Sequence, residues 1–180
     1  MKTEDRLCKA LKTLMATEPL DTITVKRLSQ MCGINSQTFY YHYRDIYDLL
    51  TSIFLNERVE GLEQCTSIKE VISLLLEYIE NNAGFITNIL NSAGRDLFKE
   101  FIYNGLYTNN LKMLNRRDVH NVMSLDDKKF VSKFYAAGLE YSLISWVDSG
   151  MKENKDGVVR RVSILIEDYF ENTISRFEKA

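Results

Sequence analysis

Gly33-Ile34-Asn35-Ser36-Gln37-Thr38-Phe39-Tyr40-Tyr41-His42-Tyr43-Arg44-Asp45 packs a turn, a short helix and the cap of another into one run. Gly33 is free to take a positive φ and so close a helix that precedes it. Asn35 or Ser36 supplies a side-chain oxygen to cap a helix from Gln37 to about Tyr43. Asp45 caps the next helix, which continues through Leu49, Leu50, Ile53 and Phe54 towards Leu62. Upstream, Thr24 stands as the cap of a helix over Val25 to Cys32. Before that, Leu7, Leu11, Leu14 and Met15 repeat at helical spacing over residues 3–17, and Glu18-Pro19-Leu20 ends that helix.

Two short helices joined through a glycine-containing turn form the DNA-reading unit of many proteins. The second helix enters the major groove with its N-terminal residues facing base edges. Here that helix opens with Ser36, Gln37 and Thr38. All three carry hydrogen-bonding side chains too small to block approach. Glutamine can pair with adenine through two hydrogen bonds, and threonine can meet a thymine methyl. Tyr40, Tyr41, His42 and Arg44 follow and suit phosphate oxygens, which fix register rather than sequence preference. Phe39 and Tyr43 lie four residues apart and face one way, as core anchors should. Thr24 and Lys26, at the start of the first helix of the pair, complete the candidate DNA contacts.

Further along the chain the spacing predicts five more helices. They cover about 67–81, 83–91, 95–115, 125–149 and 156–178, with Gly150 and a polar stretch before the last. The penultimate helix places Phe130, Phe134, Ala137, Gly138 and Tyr141 on one side. The last places Val158, Val162, Leu165, Ile166, Tyr169 and Phe170 together. Such stripes predict burial against partner helices. Asp126-Asp127-Lys128-Lys129 reads as a solvated first turn, and His120 as an exposed loop residue. The fold class is therefore all-α. An N-terminal three-helix DNA-binding domain over residues 1–50 is joined by the fourth helix, 45–62, to a second helical domain over 51–180.

Bulk properties agree with this division. Hydrophobic residues make up 45% and charged residues 27% of 180, an ordinary globular balance. The net charge of −2 excludes a generally basic nucleic-acid coat. Through residue 44, seven basic against four acidic side chains give about +3, leaving about −5 for the remainder. The three cysteines, Cys8, Cys32 and Cys65, show no metal-ligand spacing and read as small buried hydrophobes. No metal and no cofactor is expected. The chain shows no Ser/His/Asp set and no glycine-rich phosphate loop, so an enzyme is not expected. It opens Met-Lys-Thr-Glu-Asp without an apolar signal segment, which fits a cytoplasmic protein.

The run from Thr24-Val25-Lys26-Arg27-Leu28 through Gly33 to Tyr43, with Arg44-Asp45-Ile46-Tyr47-Asp48-Leu49-Leu50, resembles the signature of the TetR family over about residues 4–60. The resemblance implies about nine helices and a homodimer built on the last two. It also implies sequence-specific regulation of transcription at a pseudo-palindromic operator. By position, Thr24 would touch phosphate, Ser36, Gln37 and Thr38 would face bases, and Tyr40 and His42 would contact phosphate. One departure is Ile46, where the family often carries lysine. That departure and Tyr41 keep open an alternative: an interaction adaptor with the same fold and no operator binding. Phe134-Tyr135-Ala136-Ala137-Gly138-Leu139 and Ile144-Ser145-Trp146-Val147-Asp148-Ser149-Gly150-Met151 resemble the subgroup that includes activators of dihydroxyacetone kinase operons. That likeness implies either a small-molecule effector or a kinase-like co-regulator protein as partner. Tyr103, Tyr107, Phe134, Tyr141 and Trp146 are the candidate effector-binding residues.

Overall fold

The computed structural model describes residues 2–166 and 168–179. Ten α-helical segments occur among them: α1 (Thr3–Met15), α2 (Val25–Met31), α3 (Ser36–His42), α4 (Ile46–Asn56), α5 (Ile68–Asn81), α6 (Ala83–Leu90), α7 (Arg95–Arg117), α8 (Leu125–Asp148), α9 (Lys155–Leu165) and α10 (Tyr169–Glu178). No strand occurs among the described residues. The chain forms two compact units. One comprises Met1–Arg58 and Ile79–Phe101, the other Val59–Tyr78 and Ile102–Ala180. Met1, Glu167 and Ala180 lie outside the described residues.

In the first unit the helices are set by local capping and by an apolar core. Leu7, Leu11 and Met15 of α1 are fully buried, as the spacing predicts. Phe54 of α4 packs against Phe85, Phe98 and Phe101, with ring centroids 6.2, 5.9 and 5.5 Å away. Gly84 permits α6 to meet the end of α1, because a Cβ there would sit 2.1 Å from the Ala16 carbonyl oxygen. Asn88 of α6 donates to the Met15 carbonyl at 2.8 Å and so satisfies one of α1's last carbonyls. The fourth helix ends at Asn56, before the Leu62 boundary expected from sequence. Glu57 turns extended there and its carboxylate pairs with Lys12 at 2.8 Å, while Gly61 adopts φ 81°.

The second unit carries polar groups in its interior. Asp118, just after α7, is buried and pairs with Lys128 of α8 at 2.9 Å. The same carboxylate accepts the backbone N–H groups of Val122 and Met123 at 2.8 and 3.0 Å. Burial alone would raise the Asp118 pKa. The Lys128 ammonium and the two amides outweigh it and hold the carboxyl below its ordinary value. Lys128 is therefore a buried ion-pair partner and not the solvated first-turn residue that its charged neighbours imply. Nearby, Asn110 Oδ1 accepts from Ser132 Oγ and from the Tyr169 hydroxyl, each at 3.1 Å.

Within one chain the expected α8 stripe faces outward. Val131, Ala136, Leu139, Leu143, Ile144 and Val147 are buried. Phe130, Phe134 and Tyr141 are 68, 69 and 72% exposed. The last expected helix, 156–178, is two segments, α9 and α10, with Asp168 at φ 53° between them. This break changes the phase of the apolar stripe. Leu165 is exposed, whereas Tyr169 and Phe170 are buried. Tyr169 reaches Asn110 and lies 3.9 Å from the Tyr135 ring, and Phe170 receives the Arg117 guanidinium over its face at 4.7 Å. These inward partners, rather than a glycine or proline, mark the break.

Candidate nucleic-acid interface

The helix pair is built from side chains that bond their own backbone. Thr24 Oγ1 accepts the Arg27 N–H at 3.2 Å and starts α2. Gly33 closes that helix at φ 64°, and the Ile34 N–H returns to the Ser29 carbonyl at 3.0 Å. Arg6 of α1 donates to the Cys32 carbonyl at 3.0 Å and ties the end of α2 to the first helix. Asn35, not Ser36, caps α3, its Oδ1 accepting from the Thr38 N–H at 2.8 Å and from the Thr38 hydroxyl at 3.0 Å. Asp45 caps α4 through the Asp48 N–H at 2.8 Å. Every one of these contacts spans a few residues of sequence except that of Arg6.

The anchoring residues of α3 lie where the spacing puts them. Phe39 is fully buried, Tyr43 nearly so, and their ring centroids are 5.9 Å apart. The Tyr43 hydroxyl lies 3.5 Å from Ser52 Oγ of α4. On the opposite face Gln37, Tyr40, Tyr41 and Arg44 are exposed. Tyr41 is 85% exposed and one helical turn beyond Gln37, so it shares the outward face with the amide. Ser36 and Thr38 are half-buried, and Thr38 spends its hydroxyl on the Asn35 cap. Its methyl is the part left for a base. Lys26 and Thr24 are exposed. His42 is half-buried, its Nδ1 3.3 Å from Glu4 Oε1 of α1.

Two cations of this region, Arg27 and Arg44, lie beside acids. Glu18 binds the Arg27 guanidinium through both oxygens, which holds the Glu18 carboxyl below and the guanidinium above their ordinary values. Arg44 lies 3.7 Å from Asp48 and remains exposed. Ile46, where a cation is commoner, is half-buried. Beside it the Tyr47 hydroxyl donates to Asp21 at 3.0 Å, and this bond raises the Tyr47 pKa.

The candidate effector residues do not converge. Tyr103 and Tyr107 of α7 stack face to face, 6.2 Å apart and nearly parallel. Phe134 and Tyr141 lie on the exposed face of α8. Trp146 is buried, and its indole N–H donates to the Glu153 carbonyl at 2.8 Å, which fastens the end of α8 to the loop after it. A cavity of about 270 Å³ lies elsewhere in the second unit, lined by Ile68, Lys69, Arg117, Ser163, Tyr169 and Phe170. Nothing in the sequence pointed to it, because its lining comes from α5, the end of α7 and the α9–α10 break. No group of three or more His, Cys, Asp or Glu among the described residues is placed to hold a metal ion. No described helix is long and apolar enough to cross a membrane.

A capped helix pair with an outward polar edge, followed by an all-helical body, defines the helix-turn-helix class of regulator. Residues 66–168 match TetR_C_8, the family described as "Transcriptional regulator C-terminal region". The chain belongs to the TetR family of transcriptional regulators. A curated relative, the HTH-type dhaKLM operon transcriptional activator DhaS of Lactococcus lactis subsp. lactis, is 30% identical over 90 residues. That match spans about half of each protein, 48% of this chain and 48% of the relative. A solved structure of the dihydroxyacetone kinase operon activator DhaS superposes with a TM-score of 0.71 at 22% identity, over 94% of this chain and 96% of that one. The fatty acid degradation regulator FadR from Bacillus halodurans gives 0.64 at 14% identity, over 92% and 95%. These two structures speak for the fold. The relatives are transcriptional regulators, not enzymes.

Proposed function

We propose that the protein is a sequence-specific regulator that binds a pseudo-palindromic operator as a homodimer. The observation that carries this reading is the outward edge of α3, where Gln37 and Tyr41 stand exposed one turn apart above a buried Phe39. Residues 1–50 form the DNA-binding domain. Ser36, Gln37 and Thr38 read bases, with Gln37 the principal reader. Thr24, Lys26, Tyr40, Tyr41, His42 and Arg44 hold the backbone. Residues 51–180 sense the signal and dimerise. The exposed stripe Phe130, Phe134 and Tyr141, with Ala137 and Gly138 between, supports a second copy as its occupant through the last two long helical stretches. Two recognition helices then enter successive major grooves about 34–36 Å apart.

Control passes through the helical domain. A small molecule or a kinase-like co-regulator protein binds one arrangement of the helices better than another, and that difference shifts operator affinity. Tyr103 and Tyr107 are the effector candidates that remain paired in the structure. A mobility-shift titration on the DNA flanking the gene tests the reading. A specific shift that weakens steeply with salt is expected. Equal binding to operator and scrambled duplex at every salt concentration would contradict it.

A further inference from the structure

We propose that the interior seat of the Tyr169 side chain, with the cavity beside it, is a binding site for a small uncharged phenol, which enters by displacing Tyr169. The inference rests on the control reading above, adds a site and a ligand class to it, and uses neither Tyr103 nor Tyr107. The site lies wholly within the second unit. Tyr169, the first residue of α10, forms a wall of the cavity of about 270 Å³, with Ile68, Ser163 and Phe170. Its hydroxyl reaches inward and donates to Asn110 Oδ1 at 3.1 Å. Its ring centroid lies 3.9 Å from that of Tyr135 on α8. One side chain thus stands between an interior polar seat and an open hollow.

The seat fits a phenol because it already holds one, with ring against ring and hydroxyl on a carboxamide oxygen. Burial pushes the pKa of the Tyr169 hydroxyl up, so the seat favours the uncharged form. Charges around the cavity balance, Lys69 and Arg117 against Asp168 and Glu171, and give no net attraction for an ion. The cavity has the volume of about nine water molecules, enough for a ring of this size. Three features make the present occupant displaceable. Asn110 is 1% exposed, yet its Nδ2 has no hydrogen-bond partner among the described residues. Tyr169 and Ser132 both bond Oδ1, and turning the amide over would orphan the oxygen instead. A free phenol, no longer tethered to a helix, donates to the oxygen and accepts from Nδ2 as well, and so recovers the cost of a buried unpaired donor. Second, Tyr169 is placed by Asp168 at φ 53°, a left-handed conformation costly outside glycine, and the Asp168 side chain does not cap α10. Third, α10 is fastened beside the cavity by the exposed Arg117–Glu171 pair, which water weakens. Release of Tyr169 removes a link among α7, α8 and α10, which supplies the two arrangements that control requires.

The test titrates phenol, toluene and benzoate into the full chain without DNA, following ligand signals and the ring signals of labelled tyrosine by NMR. Saturable phenol binding is expected, with the Tyr169 signal moving to its solvent-exposed position. Toluene keeps the shape but lacks the hydroxyl, and is expected to bind at least about tenfold more weakly. Benzoate, an anion, should not bind. Tyr169→Phe keeps the ring and removes the bond to Asn110, so it should bind phenol roughly fivefold more tightly than wild type. A Tyr169 that only fills the core predicts no phenol binding in either protein. Asn110→Leu should lose phenol binding, and the Tyr169→Phe comparison stands whether or not that variant folds. Toluene bound as tightly as phenol, Tyr169→Phe no tighter than wild type, or phenol bound with the Tyr169 signal unmoved would each overturn the proposal. With a selected duplex present, phenol is expected to change wild-type operator affinity by at least about fivefold. Bound phenol with unchanged affinity would overturn the assignment of this site to control. Phenol binding is read without DNA, so its failure leaves the operator reading standing, and failure to select any duplex leaves the phenol site standing.

Discussion

The helix-turn-helix and the interior of the second unit are stabilised by opposite means. In the former the capping bonds are short in sequence and lie at the surface, as Thr24, Asn35 and Asp45 cap their own helices. Apart from Ser29, the interior beneath them is apolar, led by Leu28, Phe39 and Leu49. In the latter a carboxylate, an ammonium, an amide and two hydroxyls are buried together, and each partner comes from another element. A capped pair tolerates loss of one polar bond, because water replaces it. A buried pair does not, because nothing replaces it.

Substitutions can break or sharpen that contrast. The largest effect is expected from Phe39→Ala, which empties the fully buried anchor of α3 and should cost about 3–5 kcal/mol in denaturant unfolding, with operator binding lost as well. Asp118→Asn should follow, at about 3 kcal/mol, because Lys128 is left buried beside a neutral group. Its pH signature is specific. The Asp118 pKa is lowered in the folded state, so its stabilisation is complete above about pH 4 and is lost as pH falls through the folded value. The acid limb of a stability profile should therefore be shallower in Asp118→Asn than in wild type. An equal acid limb would show that the pair contributes nothing.

Gly84→Ala should cost about 2 kcal/mol in thermal unfolding, because its Cβ meets the Ala16 carbonyl, which cannot move without shifting the end of α1. The smallest effect is expected from Asn35→Ala, about 1 kcal/mol, since it removes one exposed cap. If Asn35→Ala cost as much as Asp118→Asn, the contrast between the two regions would fail.

The same contrast explains what could be read in the chain beforehand. Caps, the Gly33 turn and the Phe39–Tyr43 spacing are written within a few residues of one another, so the helix pair and the boundaries of α5 to α8 were legible. Lys128 was misread as a solvated cation because its partner lies ten residues upstream across a turn, and a charged run looks the same whether or not one member folds inward. The α9–α10 break carries no glycine or proline. It is set by Tyr169 finding Asn110, a pairing that no local pattern encodes. The α8 stripe is legible as apolar, but not which helices cover it, since periodicity gives the existence of a face and not its neighbour. For the candidate site, which side chains point outward was legible. That Asn35 would claim the Thr38 hydroxyl, and Glu4 the His42 ring, was not.

The central claim is that Gln37 reads a base while its neighbours hold phosphate. It is tested most directly by the ratio of affinities for selected and scrambled duplexes, measured by fluorescence anisotropy for wild type, Gln37→Ala and Arg44→Ala. The account predicts that Gln37→Ala lowers that ratio by about tenfold or more, the worth of a two-bond contact to a base. Arg44→Ala should weaken both duplexes alike and reduce the salt slope by about one for each half-site. An unchanged ratio in Gln37→Ala would contradict it.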